Sequence, residues 1–200
     1  MTLRHVGVKV LMLVLVLGPF CTAFADADGP KKNTSLYQLD IKLTDQDKRV
    51  SGLDVFRGES VIVAMFYSTC NHTCPFLIAA LKDMDAKLKP EVRKHVRFLL
   101  VSLDPQRDTP EALKAFAKRH ALDLSRWKLA QASEGGVREL AYVLDIKYRK
   151  NAIGGYNHAS IVTLLNPKGE VVQRVEGLKE AAQTLGARLN QKKRGGHDEK

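Results

Sequence analysis

The chain has 200 residues, with 32 basic against 22 acidic side chains, a formal charge of +10 and three cysteines. That length allows one domain of ordinary size with enough core to fold unaided, and the composition is that of a soluble globular protein. The basic excess suits acidic partner proteins, an anionic membrane surface or simply a solvated basic face; with no aromatics interleaved among the bases, it argues against nucleic acid.

Residues 1–25 read as a targeting segment. Arg4 and Lys9 precede the apolar run Val10–Leu17, Gly18-Pro19 breaks it, and Ala23-Phe24-Ala25 offers small residues for cleavage after Ala25. The uncharged stretch from Val10 to Ala25 spans sixteen residues, against roughly 20 for a spanning helix. The expectation is a cleaved secretory signal peptide, with an N-terminal membrane anchor as the alternative. Phe20 makes Gly18-Pro19-Phe20-Cys21 a poor lipidation site, so Cys21 is expected to leave with the peptide. Export to a periplasmic or cell-surface location would place Cys70 and Cys74 where thiols oxidise unless kept reduced.

Residues 26–34 read as a linker and 35–190 as the folded domain. Tyr37 to Leu43 alternates like a half-buried strand, with a turn at 44–48 and a return from Arg49-Val50. Val61 to Phe66 is continuously apolar and β-branched, the pattern of a strand covered on both faces. A polar loop with Cys70 and Cys74 follows. Pro75 is expected at the first helical position, and Phe76, Leu77, Ala80, Leu81, Met84 and Leu88 mark the inward face of that helix. Val96 to Ser102 reads as a parallel neighbour strand. Thr109 then caps a helix through Ala112, Leu113, Phe116 and Ala117. Trp127–Ala130 is a short strand, Ser133 caps the next helix, and 150–158 is a glycine-bearing loop. Ser160–Leu165 and Glu170–Val175 form a hairpin about the turn Asn166-Pro167-Lys168-Gly169, followed by a helix over 178–189. Residues 191–200, with Lys192-Lys193-Arg194, form a basic tail expected to be disordered. The order predicts an α/β fold: a mixed central sheet with helices on both faces, arranged like thioredoxin.

Cys70 and Cys74 form a Cys-x-x-x-Cys pair at the C-terminal end of the central strand, beside a helix N-terminus. That edge of an open α/β sheet is where ligands bind, and the helix end favours thiolate. The pair can be a structural disulfide, a reducible pair or a soft-metal site. A disulfide closing so short a loop stabilises weakly, so a functional pair is the better reading. His158 precedes a late strand whose start is expected at the same sheet end. Two thiolates and one imidazole suit copper, Cu(I) and also Cu(II). His72, between the cysteines, is a candidate fourth ligand or modulator of the thiols, or a solvent-facing loop residue. Asp104 to Asp108 reaches the same edge; turn and capping chemistry is its expected role, with contacts behind the ligands as the alternative. His95, His120 and His197 read as ordinary surface residues.

Taken together, the Cys-x-x-x-Cys-Pro stretch after a strand, the run Val101-Ser102-Leu103-Asp104-Pro105-Gln106-Arg107-Asp108-Thr109-Pro110-Glu111 and the lone His158 before the late strand resemble the Sco/SenC family over roughly 36–175. The resemblance implies an exported thioredoxin-like protein that binds copper through Cys70, Cys74 and His158. It also implies delivery of copper to cytochrome oxidase, or thiol–disulfide reduction that prepares its copper site. The chain departs from the family in having Asn157 where an Asp precedes the histidine, and in Asn71-His72-Thr73 between the cysteines. Its acceptor could therefore be another copper enzyme or a redox partner protein.

Two functions compete. One is a copper chaperone, the other a thiol–disulfide oxidoreductase in which Cys70 attacks and Cys74 resolves. Three residues between the cysteines, rather than the two of thioredoxins, and the absence of a proline before Ser160 favour copper. The Pro-x-x-x-Thr-x-x-Cys signature of peroxiredoxins is absent.

Overall fold

A computed structural model describes residues 35–152 and 154–191. The expected signal peptide, linker and residues 192–200 of the tail lie outside the described residues. Among those described, no helix is long and apolar enough to cross a membrane.

In chain order the strands are β1 (Leu43–Asp45), β2 (Val50–Ser51), β3 (Ser60–Phe66), β4 (Val96–Ser102), β5 (Trp127–Gln131), β6 (Tyr148–Lys150), β7 (Tyr156–His158), β8 (Ile161–Leu165) and β9 (Val171–Glu176). The helices are α1 (Thr73–Ala86), α2 (Pro90–Arg93), α3 (Pro110–Arg119), α4 (Glu134–Val143) and α5 (Leu178–Gln191). Seven strands form one sheet in the order β2-β1-β5-β4-β3-β8-β9, and β6 and β7 form a separate two-stranded sheet. β3, β4 and β5 run parallel, whereas β8 is antiparallel to β3 and β1 to β5. The sheet is therefore mixed, as expected.

β3 sits between β4 and β8, and all but its first residue are buried. Its side chains alternate between two cores, as strand geometry requires. Ile62, Ala64 and Phe66 face the core that holds α1, α3 and α5. Val61, Val63 and Met65 face the core that holds α4 and the N-terminal segment. Both faces being covered is why the run reads as continuously apolar. In the first core Phe98 stacks on Trp127 with ring centroids 4.2 Å apart. At its rim, buried Asp85 accepts hydrogen bonds from Arg93 and Arg126.

The helix caps at Thr109 and Ser133 form as read, each hydroxyl accepting a backbone N–H of the following turn. Five expectations are corrected. Tyr37 to Leu43 is not a strand. Its burial does alternate, but Leu36–Gln38 is a 3-10 turn, and only Leu43–Asp45 pairs. The cause is a distant turn: Ser35 Oγ accepts from Tyr37 N–H and donates to the Lys168 carbonyl, while Leu36 N–H donates to the Gly169 carbonyl at 2.8 Å. That pins the segment on the β8–β9 turn. Gly169 has φ +82°, and a Cβ there would meet the Tyr37 ring at 2.6 Å, so the close approach needs glycine.

Pro75 occupies the third helical position, because α1 begins at Thr73. It remains in the first turn, where its missing N–H costs nothing. Phe76 points outward and is 70% exposed, while Cys74, Leu77, Ile78, Leu81 and Met84 face inward. The glycine-bearing loop is the β6–β7 hairpin. Finally, Gln191, expected in the tail, ends α5.

Candidate functional site

The end of β3 opens into Tyr67, Ser68 and Thr69, then Cys70, and turns into α1 at Thr73. The Cys70 N–H donates to the Tyr67 carbonyl at 3.2 Å, closing a turn. That turn aims Cys70 at the N-terminus of α1, where the Cys74 N–H donates to Cys70 Sγ at 3.4 Å. Both cysteines are free and buried, Cys70 at 8% exposure and Cys74 at 0%.

Their protonation differs. Burial pushes the Cys70 thiol up, but the Cys74 and His72 N–H groups, with hydrogen bonds to the Cys74 and Tyr67 side chains, outweigh it, and the net direction is down. Cys74 is pushed up to about 12, mainly by burial, with the Cys70 sulfur and the Asp108 carboxylate adding to it. The pair thus combines a thiolate-prone sulfur with an enclosed thiol, the division of roles that thiol exchange requires.

His158 ends β7 and lines one small enclosed cleft with Met65, Cys74, Leu77 and Ile161. Its Nδ1 lies 3.1 Å from the Ala159 carbonyl. Because a carbonyl only accepts, Nδ1 carries the proton and Nε2 keeps its lone pair. Burial lowers the His158 pKa, against the opposing Ala159 hydrogen bond. A neutral imidazole with one nitrogen anchored on a carbonyl is the form a metal ligand takes. Among the described residues, however, no three His, Cys, Asp or Glu side chains are grouped closely enough to hold a metal ion. The structure brings Cys70 to Cys74 and His158 into the Cys74 cleft, without closing the three into one cluster.

His72 is exposed, and its side chain makes no cap hydrogen bond to α1. Of its readings, the structure favours the solvent-facing one; what reaches Cys70 is its backbone N–H. Asn157 is exposed and paired with Asn151 at 3.5 Å.

The segment 104–108 does more than turn the chain. Asp108 is fully buried. Its carboxylate accepts from the Ser68 N–H at 3.0 Å, from the Ser68 hydroxyl, and from the Ser102 hydroxyl at 2.5 Å. It therefore ties the Cys loop to the end of β4. Arg107 donates from Nε to the buried Asp104 carboxylate and from Nη2 to the Gly154 carbonyl. Turn and capping chemistry, expected from composition, holds for Thr109; Asp108 and Arg107 are supports of the site.

Tyr67 was not singled out by the sequence. Its hydroxyl donates to the Tyr156 carbonyl at 3.3 Å, and its ring meets that of His158 edge-on at 6.2 Å. It stands between the two cysteines and the hairpin. Its place three residues before Cys70, at the mouth of the central strand, was the available signal.

The comparisons with known proteins agree with one another. The SCO1/SenC family model matches residues 29–192. A SCO1 protein homolog of Bacillus subtilis is 29% identical over 136 residues, covering 66% of this chain and 70% of that protein. A solved structure of BsSco, described as a member of the Sco family of cytochrome c oxidase assembly proteins, superposes with a TM-score of 0.67 at 24% identity, covering 78% of this chain and 92% of that one. Bradyrhizobium japonicum ScoI, solved with copper bound, gives a TM-score of 0.64 at 18% identity, over 76% and 96% of the two chains. At these identities the structural likeness establishes the thioredoxin-like fold.

Proposed function

The chain belongs to the SCO1/SenC family, and from that premise we propose that it is an exported copper-binding protein that delivers copper to, or matures the copper site of, a respiratory enzyme such as cytochrome c oxidase. Cys70, Cys74 and His158 are the ligands in this reading, and copper is cargo, held and then passed on by ligand exchange. The observation that carries the reading is the shared cleft of Cys74 and His158, with Cys70 Sγ accepting from the Cys74 N–H beside it and an imidazole whose Nδ1 is anchored and whose Nε2 lone pair is free. Two soft sulfurs and one nitrogen suit copper better than harder cations. Because no three-donor cluster is preformed, binding requires the hairpin and the Cys loop to close on the ion. Relatives support the cargo and the destination: ScoI of Bradyrhizobium japonicum holds copper, and BsSco belongs to a family of oxidase assembly proteins. Export, to the periplasm or held at the membrane by an uncleaved leader, is supported by the pattern of residues 1–25.

The test is titration of the reduced protein with copper. Anaerobic competition is expected to give one equivalent of Cu(I), and Cu(II) a thiolate charge-transfer band. His158→Ala is expected to weaken copper binding severely while leaving disulfide exchange largely intact. Weak, non-stoichiometric binding by the unaltered protein would remove copper from the account.

A second reading, thiol–disulfide oxidoreductase, rests on the asymmetry of the pair. Cys70 is the less enclosed sulfur and meets the α1 backbone N–H groups, while Cys74 lies fully enclosed behind it. Cys70 would attack a partner disulfide and Cys74 would release the mixed disulfide, reducing the partner and leaving Cys70–Cys74 oxidised.

A further inference from the structure

The two halves of the site are joined by one short piece of chain. The cysteines sit on a loop that leaves β3, while His158 sits on a hairpin outside the main sheet. Among the described residues the hairpin strands pair only with each other, Tyr148 opposite His158 and Lys150 opposite Tyr156. Tyr156 packs against both cores and Tyr148 against the one that holds α4. Two side chains reach across to its backbone. The Tyr67 hydroxyl takes the Tyr156 carbonyl, and the Arg107 guanidinium takes the Gly154 carbonyl at the hairpin tip.

Arg107 is suited to the work. Asp104 is 3% exposed and accepts from Arg107 Nε; its own backbone N–H donates to the Ser102 hydroxyl at 2.9 Å. The guanidinium is therefore rooted at the end of β4, and its planar fork leaves Nη2 aimed outward. The next residue, Asp108, grips Ser68 in the Cys loop. Adjacent residues thus hold the two elements of the site: Asp108 the Cys loop, Arg107 the hairpin.

We infer that Arg107 is a positioning residue for His158: through Asp104 and the Gly154 carbonyl it sets how closely the hairpin approaches the cysteine pair, and so sets the strength with which the third ligand engages copper. This rests on the reading of His158 as a ligand. Arg107 itself touches neither the ion nor the sulfurs. Supports behind metal ligands typically contribute 10- to 100-fold in affinity, and one hydrogen bond from a half-exposed side chain belongs at the lower end.

The experiment is a four-protein cycle in copper affinity, comprising the unaltered protein, Arg107→Ala, His158→Ala and the double variant, with Arg107→Lys as the conservative control. Cu(II) electron paramagnetic resonance reports the nitrogen ligand, and amide hydrogen exchange of the copper-free protein reports the hairpin. Arg107→Ala is expected to weaken binding about tenfold, to diminish the nitrogen coupling, and to speed exchange at 148–158 while β3 and β4 are unchanged. In the His158→Ala background it is expected to have no further effect. Arg107→Lys is expected to fall between, since one ammonium cannot serve both Asp104 and Gly154 with the geometry of a fork.

Normal binding by Arg107→Ala beside a weakened His158→Ala would overturn the inference and leave His158 a ligand. An Arg107→Ala effect that persists in the double variant would also overturn it, since the arginine would then act through the fold. If His158→Ala binds copper normally, the ligand reading itself fails and the inference goes with it.

Discussion

β3 delivers the Cys loop from the middle of the seven-stranded sheet, with β4 and β8 as ladder neighbours and a buried side chain at nearly every position. β7 delivers His158 from a two-stranded sheet with one neighbour and no fully buried residue. The first is held by two cores and by the Asp108 clamp; the second by its own ladder, by half-buried Tyr148 and Tyr156 at the edges of the cores, and by Tyr67 and Arg107. The contrast accounts for a site that is half built. The sulfurs are preset, while the imidazole sits on the less stable element, where local opening costs least. In the proposed reading, in which copper is taken up and passed on, the hairpin is the wall that gives.

Phe98→Ala removes the ring stacked on Trp127 in the core behind β3 and is expected to cost about 3–5 kcal/mol, measured by urea unfolding. Asp108→Ala strands the Ser68 N–H and the Ser68 and Ser102 hydroxyls. It is expected to cost about 2–3 kcal/mol and to speed alkylation of Cys70 in the folded protein.

Asp85 sharpens the frame's acid limit. Burial raises its pKa, but hydrogen bonds from Arg93 and Arg126, with their charges, outweigh this and hold it below the ordinary carboxylate range. The pair's stabilisation is therefore complete above the unfolded value of about 3.9 and is lost as pH falls through the depressed folded value. Asp85→Asn is expected to destabilise by about 1.5–3 kcal/mol at neutral pH. The gap in thermal midpoint to the unaltered protein should narrow on acidification below about pH 4; a constant gap would contradict the assignment.

On the hairpin side the same measurements should hardly move. His158→Ala, outside both cores, is expected to change stability by less than about 1 kcal/mol, although it removes the proposed third ligand. Smallest of all, Phe76→Ser is expected to lie within about 0.5 kcal/mol of neutral, because the ring faces solvent. A loss above 2 kcal/mol would place it back in the core.

The two regions were also unequally legible. The β3 run could be read because burial on both faces demands an unbroken apolar stretch, and Cys-x-x-x-Cys-Pro stands directly after it. The hairpin escaped because Tyr148–Lys150 and Tyr156–His158 are three residues each, too short for a period, and Gly154-Gly155 reads as loop. At 37–43 the burial alternation was real, but a ladder needs a partner, and the chain is instead pinned on the β8–β9 turn. Phe76 lies two positions from inward Cys74, and residues so spaced do not share a helix face. The run 104–108 looked like turn chemistry because its partners, Ser68 and Gly154, come from distant parts of the chain. The same long range hid Tyr67.

In the proposed function Cys70, Cys74 and His158 converge on one copper ion, although the copper-free site holds them as a pair and a separate imidazole. X-ray absorption of the reduced protein loaded with one equivalent of Cu(I) tests this most directly. The account predicts a three-coordinate ion with two sulfur ligands and one imidazole nitrogen, the nitrogen scattering lost in His158→Ala. Two sulfurs alone, with a spectrum unchanged by His158→Ala, would contradict it.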